Sequence, residues 1–404
     1  MARGLRSVLS TQEPVVNSHT NRSFSIPTGV VINDTTLRDG EQTAGVAFTD
    51  DEKLAIARAL DESGVAEMEI GIPVMGAHEV ELIRAITSSV RQSRTMVWGR
   101  MADADIEACL PCHADIVHLA VPASDIQIQR KLGKDRAWVL ASIRRCAARV
   151  ADAGSAVSVG FEDASRADPA FLRQAAEVAQ AAGAVRVRFA DTLGLLDPFE
   201  THDRIADLRR AIDIGIEIHA HNDLGLATAN TLAAVRAGAT SVNTTVNGLG
   251  ERAGNAALEE VVMALRHLHG VECGVRTQQL PAISELVARA SGRPVAPGKC
   301  IVGDAVFSHE SGIHVDGLLK DRSNYETFAP EEVGREHKLV LGKHSGAAAV
   351  VNGYARLGLR IESRWVSPLL ERIRAHVLAT KREPDAADLL RFHLEVCAAA
   401  GVGA

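Results

Sequence analysis

Short runs of β-branched residues alternate with helical segments from residue 30 onward, and this rhythm constrains the fold more than any other feature of the chain. The runs predict eight strands, and the segments between them space their apolar residues as amphipathic helices do. Eight strand–helix units in about 240 residues match the size of a closed (β/α)8 barrel. The predicted strands are VVIND (30–34), VAEMEIGIP (65–73), TMVWGR (95–100), DIVHLAVP (115–122), AVSVGFED (156–163), AVRVRFAD (184–191), GIEIHAHN (215–222) and SVNTTVNG (241–248).

A doubly wound α/β sheet is the main alternative, because it shows the same alternation. Such a sheet normally carries a glycine-rich phosphate turn after its first strand, whereas here the first strand runs into TTLRDG (35–40). We therefore predict an α/β fold with a TIM barrel over residues 28–274. The rhythm is lost after the barrel, and helical patterning returns at 347–357 and 365–399. This pattern predicts a mainly helical C-terminal region over residues 275–404.

Residues 1–27 differ in composition from the rest of the chain, with many Ser, Thr and Asn residues and three arginines against one acid. We interpret them as a flexible N-terminal extension. The bias toward arginine and serine leaves an organelle transit peptide as the alternative, and the segment lacks the apolar stretch of a secretory signal.

The composition limits the compartment and the partners. A net charge of −7 supplies no basic field for nucleic acid, and no apolar run reaches the roughly 20 residues of a membrane span. Six cysteines in 404 residues are too few for a disulfide scaffold and fit the reducing cytoplasm. Because aromatic residues make up only 3%, we expect an aliphatic core, with a barrel interior filled by Val, Ile, Leu and Ala.

Polar residues fall at the carboxyl ends of the predicted strands, which is where a barrel enzyme builds its site. They are Arg38, Asp39, Glu69, Glu162, Asp191, Thr192, His219, His221 and Asn247. His219 and His221 lie two apart in a strand, so their side chains point to the same face and can reach one cation. Asp39 adds a carboxylate from the neighbouring strand of a closed barrel, and Asn255 adds an amide. This set predicts a divalent-metal site.

The same segments resemble the α-isopropylmalate and homocitrate synthase family. The matching motifs span roughly residues 30–350: Leu37–Gln42 with Lys53, Ile218–Gly225, Gly248–Asn255, Ser311–His314 and Leu341–Gly346. The amino-acid sequence of residues 69–76 and 97–100 is most similar to the nitrogen-fixation type of homocitrate synthase. This branch would supply homocitrate for the nitrogenase iron–molybdenum cofactor.

The resemblance implies a Claisen condensation of acetyl-CoA with a 2-oxo acid, here 2-oxoglutarate, followed by hydrolysis of the thioester. It implies a divalent cation (Zn, Mn or Mg) held by Asp39, His219, His221 and Asn255. It also implies catalytic roles for Arg38, Glu162, His314 and Tyr325, and substrate binding by Gln42, Glu69, Thr192 and Arg130. In the family, the histidine–tyrosine pair comes from the neighbouring subunit. The resemblance therefore implies a homodimer in which residues 275–404 complete the partner's active site.

The identity of the 2-oxo acid is the open point. A distal carboxylate needs a cation, which Arg130 or Lys131 after strand 4 could supply. Lysine-pathway homocitrate synthases have an arginine four residues before the catalytic glutamate, where this chain has Ser158. Isopropylmalate or citramalate synthase is therefore the alternative, and a non-catalytic metal-binding scaffold is a distant one. The 404 residues leave no room for an appended feedback domain, which we expect to favour the homocitrate branch.

Overall fold

The computed structural model describes residues 29–399, and its centre is a closed barrel of eight parallel strands in sequence order. The predicted TIM barrel is therefore confirmed. Strand β1 pairs with both β2 and β8, which closes the sheet on itself. The strands are β1 (Val31–Asp34), β2 (Glu67–Glu69), β3 (Arg94–Arg100), β4 (Ile116–Pro122), β5 (Ala156–Glu162), β6 (Arg186–Asp191), β7 (Gly215–Ala220) and β8 (Ser241–Thr244).

Helices surround the barrel and continue into the C-terminal region. Glycine ends α1 at Gly64, which has a left-handed backbone (φ +87°) that other residues rarely adopt. The helices are α1 (Asp50–Ser63), α2 (Ala77–Ser89), α3 (Asp103–Cys109), α4 (Asp125–Arg130), α5 (Arg136–Asp152), α6 (Pro169–Ala181), α7 (Pro198–Ala211), α8 (Ala227–Arg236), α9 (Leu258–His269), α10 (Leu280–Ser291), α11 (Gly312–Lys320), α12 (Ala347–Arg356), α13 (Ser363–Thr380) and α14 (Ala386–Ala399).

The barrel interior is charged, and our expectation of an aliphatic interior was wrong. Arg188 on β6 contacts Glu69 on β2 (Nη2–Oε2, 2.6 Å), and these strands are not neighbours, so the contact crosses the interior. Arg188 also binds Glu217. Val187 and Phe189 alternate with the arginine along β6 and face the helices instead. The aliphatic residues thus form the layer between sheet and helices, while ion pairs fill the centre.

The C-terminal region has a hydrophobic core of its own. Helix α10 still packs on the barrel, since Ile283 and Val287 belong to the barrel's apolar cluster. A second cluster brings together α11 to α14 and includes Val315, Tyr354 and Leu369. Two short parallel strands, β9 (Ser308–His309) and β10 (Lys338–Leu339), lie beside it.

Two further predictions concern the N-terminal segment and membrane-spanning helices. The segment 1–27, predicted to be flexible, lies outside the described residues. Within residues 29–399, the helices lack the combination of length and apolarity that a membrane crossing requires.

Candidate active site

A cavity of about 220 Å³ opens at the carboxyl end of the barrel strands, where the sequence pattern predicted the site. It brings together most of the predicted residues, although they come from distant parts of the chain. The predicted residues that line it are Arg38, Asp39, Gln42, Glu162, Thr192, His219 and His221.

Three buried side chains converge on one point at the base of this cavity. The Nε2 atoms of His219 and His221 lie 3.1 Å apart, and Oδ2 of Asp39 lies 3.8 and 3.9 Å from them. Asp39 lies in the loop after β1, while His219 lies in β7 and His221 directly follows it, so closure of the barrel brings them together. Among the described residues, this is the one group of three His, Cys, Asp or Glu side chains with metal-binding spacing.

Polar neighbours orient these side chains toward the shared point. Nδ1 of His219 lies 2.6 Å from Oδ1 of Asn243 on β8, so Nδ1 is the donor and Nε2 keeps its lone pair. Asn255 donates through Nδ2 to Oδ2 of Asp39 (2.6 Å) and to the carbonyl of Leu249 (2.9 Å). The buried Oδ1 of Asn255 has no hydrogen-bond partner in the described structure, which fits an additional oxygen ligand.

The charge states also fit a divalent cation. Burial lowers the pKa values of His219 and His221, so both imidazoles are neutral near pH 7, the form in which histidine binds metals. Burial alone would raise the pKa of Asp39, but the adjacent Arg38 guanidinium and the hydrogen bond from Asn255 oppose it, and that pKa is lowered. Two neutral imidazoles and one carboxylate are the donor set of many catalytic metal sites.

Arg38 is held in a fixed position at the wall of the cavity. It binds Glu69 through Nε, and its Nη1 lies 3.0 Å from Oδ1 of Asp39 and 3.4 Å from Oε1 of Gln42. Its guanidinium also lies over the ring of Trp98, 5.7 Å from the centroid. The cation is therefore oriented before any substrate arrives, as oxyanion stabilisation requires.

Glu69, predicted as a substrate-binding residue, is fully buried and is absent from the described residues that line the cavity. It accepts hydrogen bonds from Thr35, Arg38 and Arg188. Burial opposes its ionisation, yet the two arginines hold the pKa of Glu69 well below its usual range. In this structure Glu69 positions Arg38.

Glu162 ends β5 and Thr192 directly follows the neighbouring β6, across the barrel from β1 and Arg38. Glu162 is the last residue of β5 and forms a bidentate ion pair with Lys131, at 2.6 and 2.9 Å. The Thr192 hydroxyl accepts a hydrogen bond from the backbone N–H of Asp163 (2.8 Å). Arg252 binds the carbonyl of Thr192 (2.6 Å), which fixes the loop after β6.

Arg130, predicted to bind substrate, is exposed at the end of α4. Among the described residues that line the cavity, its place is taken by the neighbouring Lys131. The sequence allowed either residue, and the helix directs only the second one toward Glu162.

His314 and Tyr325 lie together in the C-terminal region, away from the cavity of their own chain. Their ring centroids are 4.3 Å apart with an interplanar angle of 30°, and both side chains are exposed. The tyrosine ring rests on Gly317, where a Cβ atom would lie 2.5 Å from Cε2 of the ring. Neither residue is among the described lining of the cavity.

Sequence reasoning missed several residues that line the cavity, His118 and Arg188 among them. The His118 imidazole bonds to Ser158 (Nδ1–Oγ, 2.9 Å), and burial together with Arg188 lowers its pKa well below the usual range. A Cβ atom at Gly160 would lie 2.4 Å from Nε2 of His118, so glycine makes room for the ring. A lone histidine in the apolar β4 and the alternation of Arg186 and Arg188 with apolar residues in β6 were the available signal.

Two other polar residues at strand ends serve the loops rather than the cavity. Asp191 accepts backbone N–H groups from Leu195 (3.0 Å) and Leu196 (3.1 Å). The Asn247 side chain turns toward α10 and bonds to the carbonyl of Ser284 (2.9 Å).

A TIM barrel with a buried carboxylate–histidine cluster at its carboxyl end defines the class of barrel enzymes built around a metal site. The chain belongs to the HMGL-like family, which matches residues 29–287. A second family, "homocitrate synthase post-HMGL domain-like", matches residues 301–382. These matches confirm the family predicted from the sequence motifs.

Curated relatives cover most of the chain. Homocitrate synthase 1 from Nostoc sp. is 49% identical over 363 residues, which cover 90% of this chain and 96% of the relative. 2-Isopropylmalate synthase 2 from Caldanaerobacter subterraneus is 49% identical over 353 residues, 87% of this chain and 92% of the relative. The crystal structure of HMG-CoA lyase from Bacillus subtilis shares the fold, with a TM-score of 0.60, 18% identity, and coverage of 67% of this chain and 97% of that chain.

Proposed function

We propose that this protein is a homocitrate synthase that condenses acetyl-CoA with 2-oxoglutarate and releases (R)-homocitrate and CoA. The observation that carries the proposal is the convergence of Asp39, His219 and His221 beside Arg38 and Glu162 in one cavity. The relatives named homocitrate synthase, at 49% identity over most of the chain, support the same activity.

The metal site fits a divalent cation (Zn, Mn or Mg), held by Asp39, His219 and His221 with Asn255 beside them. When bound, such a cation polarises the keto group of the 2-oxo acid as a Lewis acid. Thr192 would donate its hydroxyl to the carboxylate next to that keto group. Arg38 would face the keto oxygen and stabilise the negative charge that develops there as the new bond forms.

Glu162 is the barrel's candidate base. It takes a proton from the acetyl methyl group, and the methyl carbon then bonds to the keto carbon of the 2-oxo acid. Water subsequently cleaves the thioester, which releases CoA and leaves the new carboxylate. Glu162 suits this work because it is partly exposed at the mouth of the cavity, with 28% of its side-chain surface accessible.

His314 and Tyr325 would assist the proton transfer from a neighbouring subunit. The pair is preassembled and exposed, yet absent from the described lining of its own chain's cavity, which supports completion of a partner's site. We therefore propose an active homodimer in which residues 275–404 serve the partner. We also propose that the enzyme is cytoplasmic and that its product, homocitrate, is used to assemble the nitrogenase cofactor.

The second candidate activity is that of a 2-isopropylmalate synthase, because the relative of that name is as similar to this chain as the relative named homocitrate synthase 1. CoA release from acetyl-CoA should be measured with 2-oxoglutarate, 2-oxoisovalerate and pyruvate. We expect the highest kcat/KM with 2-oxoglutarate, and no release by His219→Ala, which serves as the metal-site control. Preference for 2-oxoisovalerate would reject homocitrate synthase activity. Absence of CoA release with every acid would reject any acetyl-CoA condensing activity.

A further inference from the structure

Lys131 and Glu162 form an ion pair that spans the mouth of the cavity. The ammonium lies 2.6 Å from Oε1 and 2.9 Å from Oε2 of the carboxylate, so both oxygens of the candidate base are engaged. A carboxylate that accepts two charged hydrogen bonds is poorly placed to accept a proton from a C–H group. The pair therefore masks the base in this structure.

The backbones of the two residues are anchored, so only the side chains need to move for the pair to open. The N–H of Lys131 caps α4 by bonding to the carbonyl of Gln127 (2.9 Å). The carbonyl of Glu162 accepts the N–H of Ala123 (2.8 Å). The two side chains are 53% and 28% exposed, and ion pairs in such surroundings are weak because water competes for both charges.

The other cations that line the described cavity are committed elsewhere. Arg38 is bound by Asp39 and Glu69, and its side chain is 8% exposed. Arg188 is bound by Glu69 and Glu217, and its side chain is 3% exposed. Separating either of them from its carboxylates would leave buried charges unpaired. Lys131 is thus the cation on this wall that an incoming anion can recruit at small cost.

We propose that Lys131 selects 2-oxo acids that carry a distal anionic group and couples their binding to unmasking of the base. The distal carboxylate of the substrate replaces Glu162 as the partner of Lys131, and Glu162 is released toward the acetyl methyl group. An acid with an apolar tail offers Lys131 no new partner, so Glu162 stays masked. This inference rests on the proposed condensation and names the residue that chooses its 2-oxo acid.

The test is the substrate preference of Lys131→Met, measured as kcat and KM for 2-oxoglutarate and for 2-oxoisovalerate. Losing one charged hydrogen bond should lower kcat/KM for 2-oxoglutarate by about 10- to 100-fold. With 2-oxoisovalerate, kcat should rise because the base is no longer masked. Lys131→Gln should repeat both changes, and Lys131→Arg should recover part of the preference for 2-oxoglutarate.

Arg130→Met is the matched control, because it removes a positive charge one residue away that points to solvent. It should leave both sets of constants unchanged. An equal loss with both acids in Lys131→Met, or an unchanged ratio between them, overturns the inference. So does a shift in preference caused by Arg130→Met alone. Failure of the proposed function gives a different result, because the unaltered protein would then prefer 2-oxoisovalerate or release no CoA with either acid.

Discussion

Nδ1 of His219 lies 2.6 Å from Oδ1 of Asn243, and this contact decides which ring nitrogen of the imidazole is open to a cation. The amide oxygen accepts the Nδ1 proton, so the lone pair of Nε2 points toward His221 and Asp39. Asn243 is itself fixed, since its Nδ2 donates to the carbonyl of Asn33 on β1 (3.2 Å). The barrel seam between β1 and β8 thus sets the orientation of a histidine in the candidate metal site.

Asn243→Ala should therefore weaken metal binding without removing any ligand. Loss of such an orienting partner typically lowers metal affinity by about 10- to 100-fold. Titration of the metal-depleted protein with Zn²⁺ or Mn²⁺ measures the change directly. Asn243→Asp is the control, because it keeps an oxygen acceptor and should retain most of the affinity. Equal affinity in Asn243→Ala and the unaltered protein would contradict the proposed role.

The charged barrel interior should make Arg188 important for stability. In Arg188→Met the buried carboxylates of Glu69 and Glu217 lose a shared partner. Breaking a buried pair from one side typically costs about 3–5 kcal/mol, because an uncompensated charge is left behind. Urea unfolding followed by circular dichroism measures this change in the free energy of unfolding.

A surface ion pair provides the matched comparison for Arg188. Arg289 and Glu285 lie one turn apart on α10, 3.0 Å from each other, and both are exposed. Arg289→Met should cost less than about 1 kcal/mol. Similar losses in the two variants would show that the interior network contributes no more than a solvated pair.

The barrel and the pairing of the two histidines on one face were predictable because they depend on local periodicity. Strand–helix alternation gives the architecture, and a spacing of two residues in a strand places His219 and His221 on one face. The charged interior was not predictable in the same way. Alternation in β6 separates Arg186 and Arg188 from Val187, but both faces of a barrel strand are buried, so the pattern does not say which set points inward.

The roles of Arg130 and Lys131 show a second limit of sequence reasoning. Neighbouring residues at a helix end point in directions about 100° apart, so the choice between them depends on where α4 ends. Helix ends are the least predictable part of a helix. Asn247 shows a similar limit. Its left-handed backbone (φ +61°), which the sequence pattern does not reveal, turns its side chain away from the cavity.

Asp34 should make stability depend on pH in the direction opposite to most carboxylates. Burial, reinforced by Glu259, raises the pKa of Asp34 from 3.8 to about 7. The unfolded chain therefore ionises first as pH rises, and stability is lost progressively between about pH 4 and pH 7. Asp34→Asn removes this penalty, so it should stabilise the protein at pH 8, by up to about 4 kcal/mol, and have little effect near pH 4.

Urea unfolding of Asp34→Asn at pH 5, 6, 7 and 8 measures this dependence. Asp61→Asn is the control, because Asp61 accepts the N–H groups of Arg91, Gln92 and Ser93 at 2.7–3.0 Å. Burial opposes its ionisation, but these bonds lower the pKa of Asp61 overall. Asp61→Asn should therefore lose stability above about pH 4. A pH-independent effect of Asp34→Asn would contradict the raised pKa of Asp34.

Mixed dimers can decide whether the C-terminal region acts on the neighbouring barrel. His314→Ala and Glu162→Gln should each lower kcat by at least about 100-fold as homodimers, since each removes a proton-transfer group. In a mixed dimer formed with two affinity tags, one site would combine the intact barrel of the first protomer with the intact C-terminal region of the second. That dimer should recover about half of the unaltered activity. If each chain instead completes its own site, both sites carry a defect and the purified mixed dimer stays inactive.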